Sequence, residues 1–347
     1  MVLQPKRHIH GAGPCIFESD LATGTWKPRS HRRTGYNWHI VKSSTQAITA
    51  QAESPVLRVE FADVPADLRF VFVDGYDDAV RVHCARLAGS PWPECWHLHD
   101  GYRVVRVEQT ESTGDIAAAT SSAYAALIDR VRGSAHPHLL RIWNYLGAIN
   151  AGDGDEERYR RFCIGRAAAV DATFNLQPPA ATAIGHDDGV GMLQVVALCG
   201  RAPAIALENP RQTPAWNYPR QHGPVSPGFS RGALLAADGT SPRLLASGTA
   251  SIVGHVSLHV GNVGEQLRES LRNLEALLAA GSKVAGRHFG LRGCEALRVY
   301  LRRADDLPQA QALIAASELP ADRAVYLRGD VCRRELDVEL EGVFAAK

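Results

Sequence analysis

The chain has 347 residues, of which 45% are hydrophobic, so it can bury the core of one large domain or of two ordinary ones. Its 38 Lys and Arg residues nearly balance its 37 Asp and Glu residues, which excludes a general electrostatic attraction to nucleic acid or to an anionic membrane. Seven cysteines without metal-ligand spacing indicate reduced thiols and a cytoplasmic location. The N-terminus is polar and no stretch approaches the roughly 18 apolar residues of a membrane helix, so we expect neither secretion nor membrane insertion.

The first half of the chain is predicted to be α/β. Residues 1–50 show weak periodicity and are interpreted as a poorly defined segment. Residues 51–180 are interpreted as an N-terminal α/β domain, because β-branched alternation is followed by helical spacing of apolar residues. Its predicted elements are two strands and two helical segments: Val56 to Phe61, Leu68 to Val73, Asp115 to Arg132 and His138 to Ile149.

The second half, residues 181–347, begins with short strands and leads into one clear helix. The predicted strands are Gly191 to Leu198, Pro203 to Leu207, Arg231 to Ala236 and Arg243 to Thr249. The helix begins after Asn262, a plausible N-cap with Glu265 three residues later, and Gly281 is predicted to end it.

The last third of the chain alternates strands and helices. Its predicted elements are a strand at Leu297 to Leu301, a helix at Asp306 to Glu318 and strands at Ala324 to Arg328 and Glu335 to Val343. On the final strand, Leu336, Val338 and Leu340 are expected to point inward, with Asp337, Glu339 and Glu341 on the opposite face. The fold class is therefore α/β of the α+β type, with mixed β-sheets packed by helices.

Common cofactor and metal motifs are missing from the sequence. His97-Leu98-His99 has no second ligand pair for zinc, and the turn Gly185 to Gly189 has no following helix to bind phosphate. There is no Gly-x-Ser-x-Gly nucleophile elbow either. We therefore expect no zinc site at this histidine cluster, no nucleotide cofactor and no conventional serine hydrolase.

The loop from Glu208 to Gly232 is rich in proline, glycine and arginine and cannot form a regular helix. It carries Arg211, Tyr218, Arg220 and Arg231, and guanidiniums beside a tyrosine are groups that bind carboxylates and a ring. The alternative is a proline-stiffened surface connection with solvated arginines.

Two further features could carry chemistry. The run Glu157 to Arg166 concentrates four arginines, which indicates either an anion site or a charged helix face. Glu339 could meet a pocket and act as a general acid if burial raises its pKa, although a solvated strand carboxylate is the commoner case. Cys332 lies seven residues before it.

Several of these segments together resemble the chorismatase family. The resemblance spans residues 55–343 and is strongest over 136–279. The similar motifs are His136 to Tyr145, Ile149-Asn150, Glu157 to Arg166, Pro179 to Gly185, Glu208 to Pro219 and Ser247 to His255. The C-terminal third, through Asn262 to Leu278 and Val338 to Gly342, is similar to the YjgF/RidA fold.

The resemblance implies a cofactor-free enzyme that removes the enolpyruvyl group of chorismate as pyruvate. In such an enzyme a carboxylic acid protonates the terminal methylene, and the family's acid matches Glu339. The two carboxylates of the substrate imply two cationic contacts, for which the candidates are Arg166, Arg211 and Arg231, together with Tyr218. Arg323 is a further candidate for binding a carboxylate. Arg323 matches a carboxylate-binding arginine of YjgF-type proteins only after a one-residue adjustment.

Cys332 bears on the product, because hydroxybenzoate-forming branches of the family resemble this chain in having a cysteine seven residues before the acid. A second determinant is expected near residues 245–250. The resemblance therefore implies 3-hydroxybenzoate, with or without 4-hydroxybenzoate. The alternatives are hydrolysis to a 3,4-dihydroxycyclohexa-1,5-diene carboxylate, a YjgF/RidA-like imine deaminase, and a binding protein without catalysis. The expected partner is the small-molecule substrate alone, and the chain is expected to be a monomer or a homotrimer.

Overall fold

The computed structural model describes residues 102–347 with side chains, apart from residue 113 and residues 172–177, 187–190 and 236–241; nearer the N-terminus it describes strands only. The chain divides into two compact units, residues 1–53 and 54–347. The domain boundary predicted after residue 180 stays a prediction. None of the helices in the described part of the chain combines the length and apolar character that crossing a membrane requires.

Six of the seven strands described before residue 100 form two small antiparallel sheets, and the seventh, β6, joins the larger sheet described below. These strands are β1 (Phe17–Asp20), β2 (Thr25–Pro28), β3 (Val56–Phe61), β4 (Leu68–Val73), β5 (Val80–His83), β6 (Arg86–Gly89) and β7 (Trp96–His97). β1 pairs with β2, and a four-stranded sheet has the order β5-β4-β3-β7. The strands predicted at 56–61 and 68–73 are confirmed. The side chains of His97-Leu98-His99 lie outside the described residues.

A five-stranded sheet carries two helices on one face. Its strands run in the order β19-β10-β9-β11-β8. The elements are β8 (Tyr102–Thr110), α1 (Ile116–Arg132), β9 (His138–Gly147), α2 (Arg158–Ala169), β10 (Ala180–His186), β11 (Met192–Gly200) and, much later in the chain, β19 (Asp330–Val331). The prediction of α1 is confirmed, and Asp115 caps it by accepting a hydrogen bond from the amide of Ala117 at 2.9 Å.

The helix predicted over His138 to Ile149 is wrong, because the segment forms β9 and a short turn. β9 lies between β10 and β11, and both of its faces are buried. Ile142 and Leu146 pack with the helices, whereas Trp143 and Tyr145 belong to the cluster on the opposite face. A strand buried on both faces shows no polar alternation, so its sequence resembles that of a buried helix.

A seven-stranded mixed sheet faces the first one and carries two further helices. Its order is β12-β13-β14-β20-β17-β18-β6. The elements are β12 (Ile205–Leu207), β13 (Gly232–Leu235), β14 (Arg243–Ala250), the hairpin β15 (Ile252–Val253) and β16 (Val256–Ser257), α3 (Val263–Ala285), β17 (Cys294–Leu301), α4 (Leu307–Ala315), β18 (Ala324–Arg328) and β20 (Val338–Ala345). Apolar clusters fill the space between the two sheets and beneath each helix pair. The predicted class, mixed sheets packed by helices, is confirmed.

α3 begins as predicted but ends later. The side chain of Asn262 accepts a hydrogen bond from the amide of Glu265 at 3.1 Å, as an N-cap does. Gly281 does not end the helix, which continues to Ala285 and stops at Gly286 with a φ of 63°. A Cβ at residue 281 would overlap Leu244 of β14, so this glycine permits close packing of the helix on the sheet.

β20 is buried on both faces. Of the two interpretations of its carboxylates, the solvated strand face is therefore wrong. Val338 and Leu340 pack beneath α3 and α4 in the apolar cluster. Glu339 and Glu341 are only 5% and 3% exposed. Because the five-stranded sheet covers the other face of this strand, its polar side chains are turned into the protein, where Glu339 lies on the floor of a pocket.

Candidate active site

A pocket of about 340 Å³ opens where α2, β10, β14 and β20 meet the loop from residue 208 to 232. Five of the seven predicted site residues line it: Glu339, Cys332, Arg166, Tyr218 and Arg231. A volume of this size is typical of a site for a small molecule. The pocket thus brings five of the candidate residues together, beside further polar residues that the sequence did not single out.

Arg211 and Arg323 do not line this pocket. The guanidinium of Arg211 donates to Asn273 Oδ1 at 2.7 Å and to Glu269 Oε1 at 2.5 Å, which ties the loop to α3. Arg323 lies in the turn before β18, where its Nε is 3.5 Å from a carboxylate oxygen of the neighbouring Asp322. The structure therefore gives Arg211 a role in holding the loop and places Arg323 away from the other predicted residues.

Glu339 is the carboxyl group of the pocket floor. Burial raises its pKa to about 8, and the charge of Glu341 adds to this effect, while Arg141 and Arg231 act against it. A carboxyl group with this pKa is mostly protonated at neutral pH, so it can donate a proton to a bound molecule. Gly248 of β14 borders it so closely that a Cβ at residue 248 would overlap Oε1 of Glu339.

Glu341, two residues further along β20, has the opposite protonation state. Its carboxylate accepts hydrogen bonds from five side chains: Arg141 (2.7 Å), Trp143 (3.1 Å), Thr182 (2.6 Å), Arg298 (2.7 Å) and Tyr300 (3.1 Å). Burial would raise its pKa, but Arg298 and Arg141 more than offset this, so the pKa is lowered. One strand face therefore carries a protonated and an ionised carboxyl group side by side, an arrangement that separates their roles.

Thr182 connects the two carboxyl groups structurally. Its hydroxyl donates to Glu341 at 2.6 Å and accepts the amide of Gly248 at 2.9 Å. Because Gly248 in turn borders Glu339, the buried charge cluster around Glu341 fixes the β14 backbone against which the acid rests. Neither Thr182 nor Glu341 stands out in the sequence, since their roles depend on pairing between distant strands.

Tyr218 stands between two guanidiniums. Arg231 donates to the Tyr218 hydroxyl at 2.7 Å, and its Cζ lies 5.6 Å from the ring centroid. Arg333 lies over the same ring at 5.1 Å. Both arginines line the pocket, and their contacts with the Tyr218 ring keep two cationic groups in the pocket wall. Arg333 was missed by the sequence analysis, although it directly follows Cys332.

Arg166 and Cys332 complete the inner part of the pocket. Arg166 is 7% exposed, donates to the carbonyl of Gly228 and lies over the ring of Tyr124 at 5.6 Å. Cys332 packs with the apolar residues beneath α2. Burial raises the pKa of its thiol to about 12, and the neighbouring Glu339 adds to the effect. The thiol is therefore neutral near pH 7, which suits a group that shapes the pocket and not a thiolate nucleophile.

Arg302 holds the loop that carries Cys332 and Arg333. Its guanidinium donates to the carbonyls of residues 331, 333 and 336 at 3.0 to 3.1 Å. It also donates to Asn150 and Asp330, each at 3.0 Å. A planar guanidinium with five bonds in fixed directions is well suited to define the shape of a loop.

Charged residues line the outer part of the pocket. They include Asp153, Glu157, Arg160, Arg334 and Glu335. Arg220, from the predicted loop, is 66% exposed and donates to the exposed Asp155 at 2.9 Å, in line with the alternative interpretation of the loop. Among the described residues, no group of three His, Cys, Asp or Glu side chains is placed to hold a metal ion.

Comparison with known proteins points to one family. Residues 93–199 match the family model described as "Chorismatase FkbO/Hyg5-like, N-terminal". A 3-hydroxybenzoate synthase of Streptomyces hygroscopicus is 36% identical over 257 residues, which cover 71% of this chain and 75% of that protein. A chorismatase of Streptomyces rapamycinicus is 34% identical over 290 residues, or 76% of this chain and 85% of that protein.

The same similarity appears among solved structures. A crystal structure of a chorismatase superposes with a TM-score of 0.68 at 31% identity and covers 87% of this chain and 96% of that chain. The E. coli YjgF gene product aligns over 40% of this chain and 97% of its own chain. The identity is 16% and the TM-score is 0.29, so this similarity is weak.

Proposed function

The chain belongs to the chorismatase family and is an enzyme that acts on chorismate, and we propose that it releases pyruvate and forms 3-hydroxybenzoate, alone or together with 4-hydroxybenzoate. The observation that carries this proposal is Glu339, a buried carboxyl group with a pKa of about 8 on the floor of a pocket lined by arginines. The similarity to a 3-hydroxybenzoate synthase supports the choice of product.

The proposed reaction begins with proton transfer from Glu339 to the terminal methylene of the enolpyruvyl group. Protonating an enol ether at its methylene carbon gives an oxocarbenium ion, which weakens the bond from the ether oxygen to the ring carbon and opens the adjacent carbon to attack by water. A protonated carboxylic acid can drive this step, and it leaves a carboxylate beside the developing positive charge. Arg231 and Arg166 line the same pocket and supply positive charge for the carboxylates of the substrate.

The ring product depends on whether water takes part. Chorismate has the same atoms as pyruvate plus hydroxybenzoate, so that route consumes no water overall, whereas hydrolysis to the diene diol consumes one molecule. Cys332 and Phe162 line the pocket and belong to the apolar packing beneath α2. An apolar wall excludes water and so favours the route that forms an aromatic ring.

The proposal is tested by incubating the purified protein with chorismate while following pyruvate with a coupled assay and the ring products by chromatography. We expect pyruvate in equal amounts with 3-hydroxybenzoate, or with a mixture of 3- and 4-hydroxybenzoate. Pyruvate with the diene diol would assign the chain to hydrolysis. No pyruvate would overturn the proposed reaction and direct attention to imine substrates.

Cys332→Val is expected to shift the products toward the diene diol by several-fold at similar total pyruvate release. The sequence motif associates this position with product choice, and the thiol lies beside Glu339, whose charge affects its pKa. The measurement is the molar ratio of ring products at equal conversion. Cys294→Val, on the far side of the seven-stranded sheet, is the matched control. An unchanged ratio would make Cys332 a packing residue only.

The value of kcat/KM for chorismate is expected to be level between about pH 6 and 7 and to fall tenfold per pH unit above the pKa of Glu339, near 8. A general acid acts in its protonated form, and the raised pKa keeps that form populated up to this pH. The measurement is initial rates across pH 5.5 to 10, with thermal unfolding as a check that the fold persists. Activity that rises through pH 8 would contradict the assignment of the acid.

We also propose a cytoplasmic location and a monomeric or homotrimeric state. Cys163, Cys199, Cys294 and Cys332 are free thiols, which supports a reducing compartment. Sedimentation at micromolar concentration distinguishes the two assemblies by mass.

A further inference from the structure

One nitrogen of Arg302 holds the backbone on both sides of Cys332. The NH2 atom of this guanidinium donates to the carbonyl of Val331 at 3.1 Å and to the carbonyl of Arg333 at 3.0 Å. Its Nε donates to the carbonyl of Leu336, also at 3.0 Å. A planar guanidinium directs its donors along fixed lines, so these bonds define where the backbone of residue 332 lies.

The guanidinium of Arg302 is itself fixed by residues of the five-stranded sheet. Its NH1 donates to Oδ1 of Asn150, in the turn after β9, and to Oδ1 of Asp330 in β19, each at 3.0 Å. Arg302 directly follows β17 of the seven-stranded sheet, and its side chain is 17% exposed. One largely buried side chain therefore connects both sheets to the loop that carries Cys332.

Cys332 is close to the candidate acid, whereas Arg302 is not part of the pocket lining. The thiol packs against an apolar cluster that contains Ala250 of β14. Ala250 is paired directly with Glu339 of β20, and both Cys332 and Glu339 line the pocket. A displacement of the loop would thus change the pocket wall beside the acid without removing any group from the pocket.

On the basis of the proposed function, we propose that Arg302 is a positioning residue that sets the ring product by holding Cys332 in the pocket wall. The route to hydroxybenzoate consumes no water overall, so it depends on a wall that keeps water away from the oxocarbenium ion. When the loop is loosened, a water molecule adds to the oxocarbenium carbon, and pyruvate and the diene diol are released. Proton transfer from Glu339 is common to both routes and is retained.

The product ratio separates this role from a general effect on folding. Unfolded enzyme forms no product, so a smaller folded population lowers the rate but leaves the ratio of diene diol to hydroxybenzoate unchanged. The ratio is measured by chromatography at equal conversion of chorismate for the wild type, Arg302→Gln, Arg302→Lys and Asn150→Ala, with Tm recorded for each. Asn150→Ala is a mild change, because Nδ2 of Asn150 has no hydrogen-bond partner among the described residues.

We expect Arg302→Gln to raise the share of diene diol several-fold with little change in KM for chorismate. Arg302→Lys should recover part of the wild-type ratio, and Asn150→Ala should give a smaller shift in the same direction. Arg302→Gln combined with Cys332→Val should give a ratio within about twofold of that of Cys332→Val alone, because two changes that act through one contact are not additive. An unchanged ratio in Arg302→Gln, or additive effects in the double variant, would overturn the inference.

Arg303→Gln is the matched control. Arg303 is the neighbouring arginine, and its guanidinium pairs with the carboxylates of Asp337 at 2.8 Å and of Asp306 at 3.1 Å. This variant should keep the wild-type ratio, and a shift as large as that of Arg302→Gln would contradict a specific role of Arg302. Hydroxybenzoate as the wild-type product with unchanged ratios in all variants of Arg302 would refute this role and leave the proposed function intact. Absence of pyruvate from the wild type would refute the proposed function itself.

Discussion

Glu339→Gln is expected to lower kcat for pyruvate release by about 100- to 10,000-fold, the range that general acids contribute, with little change in KM. The amide has the shape of the carboxyl group but does not donate a proton to carbon. Because Gln fits beside Gly248, the pocket keeps its form and its arginines. The measurement is steady-state kinetics with chorismate at pH 7, with pyruvate as the signal.

Stability provides the check on this variant. The folded-state pKa of Glu339 is raised from its usual value of 4.5 to about 8, so its protonation favours folding at low pH, and this contribution is lost as the pH rises through that interval. A neutral Gln removes the dependence, and Tm of the variant at pH 8.5 should equal or exceed that of the wild type. An active Glu339→Gln variant would show that Glu339 is not the acid. An inactive variant with a much lower Tm would not support the role of Glu339, because its loss of activity would come from unfolding.

Glu341→Gln is expected to lower the free energy of unfolding by about 3–5 kcal/mol, the usual cost of removing one partner from a buried charge cluster. Arg141 and Arg298, which are 2% and 8% exposed, would lose their shared carboxylate in a space that water does not reach. Urea unfolding followed by tryptophan fluorescence measures the change.

The matched control for this second variant is Glu295→Gln. Glu295 pairs with Arg243 at 2.8 Å, but both side chains are about a quarter to a third exposed, so the expected loss is below about 1 kcal/mol. A loss of the same small size in Glu341→Gln would mean that water screens the cluster around Glu341. The charges around Glu341 would then not explain why Glu341 is ionised while Glu339 is protonated.

Elements with a clear local signal were predictable from the sequence. α1 and α3 are indicated by Asp115 and Asn262 at their N-caps and by helical spacing of apolar residues. The candidate acid Glu339 was singled out because a family motif points to it, whereas its burial could not be inferred from the alternating pattern. That burial comes from the second sheet, which is a long-range feature.

The arginines show where the sequence stops being informative. Arg211 and Arg231 lie in the same loop and have the same chemistry, yet Glu269 binds the first while the second lines the pocket. Arg333 is separated from this loop by about a hundred residues in sequence, and only the pairing of strands brings it to Tyr218. Composition identifies candidate cations, but the partner that each one finds depends on the folded chain.

The way Arg302 holds the loop after β19 affects how the family can diversify. Its bonds to this loop go to backbone carbonyls, at residues 331, 333 and 336, so they do not depend on which side chains the loop bears. Residue 332 can therefore be exchanged while the backbone path stays the same. Under the proposed role of Cys332, such a scaffold allows a single substitution to change the product without the loss of stability that often limits the evolution of an active site.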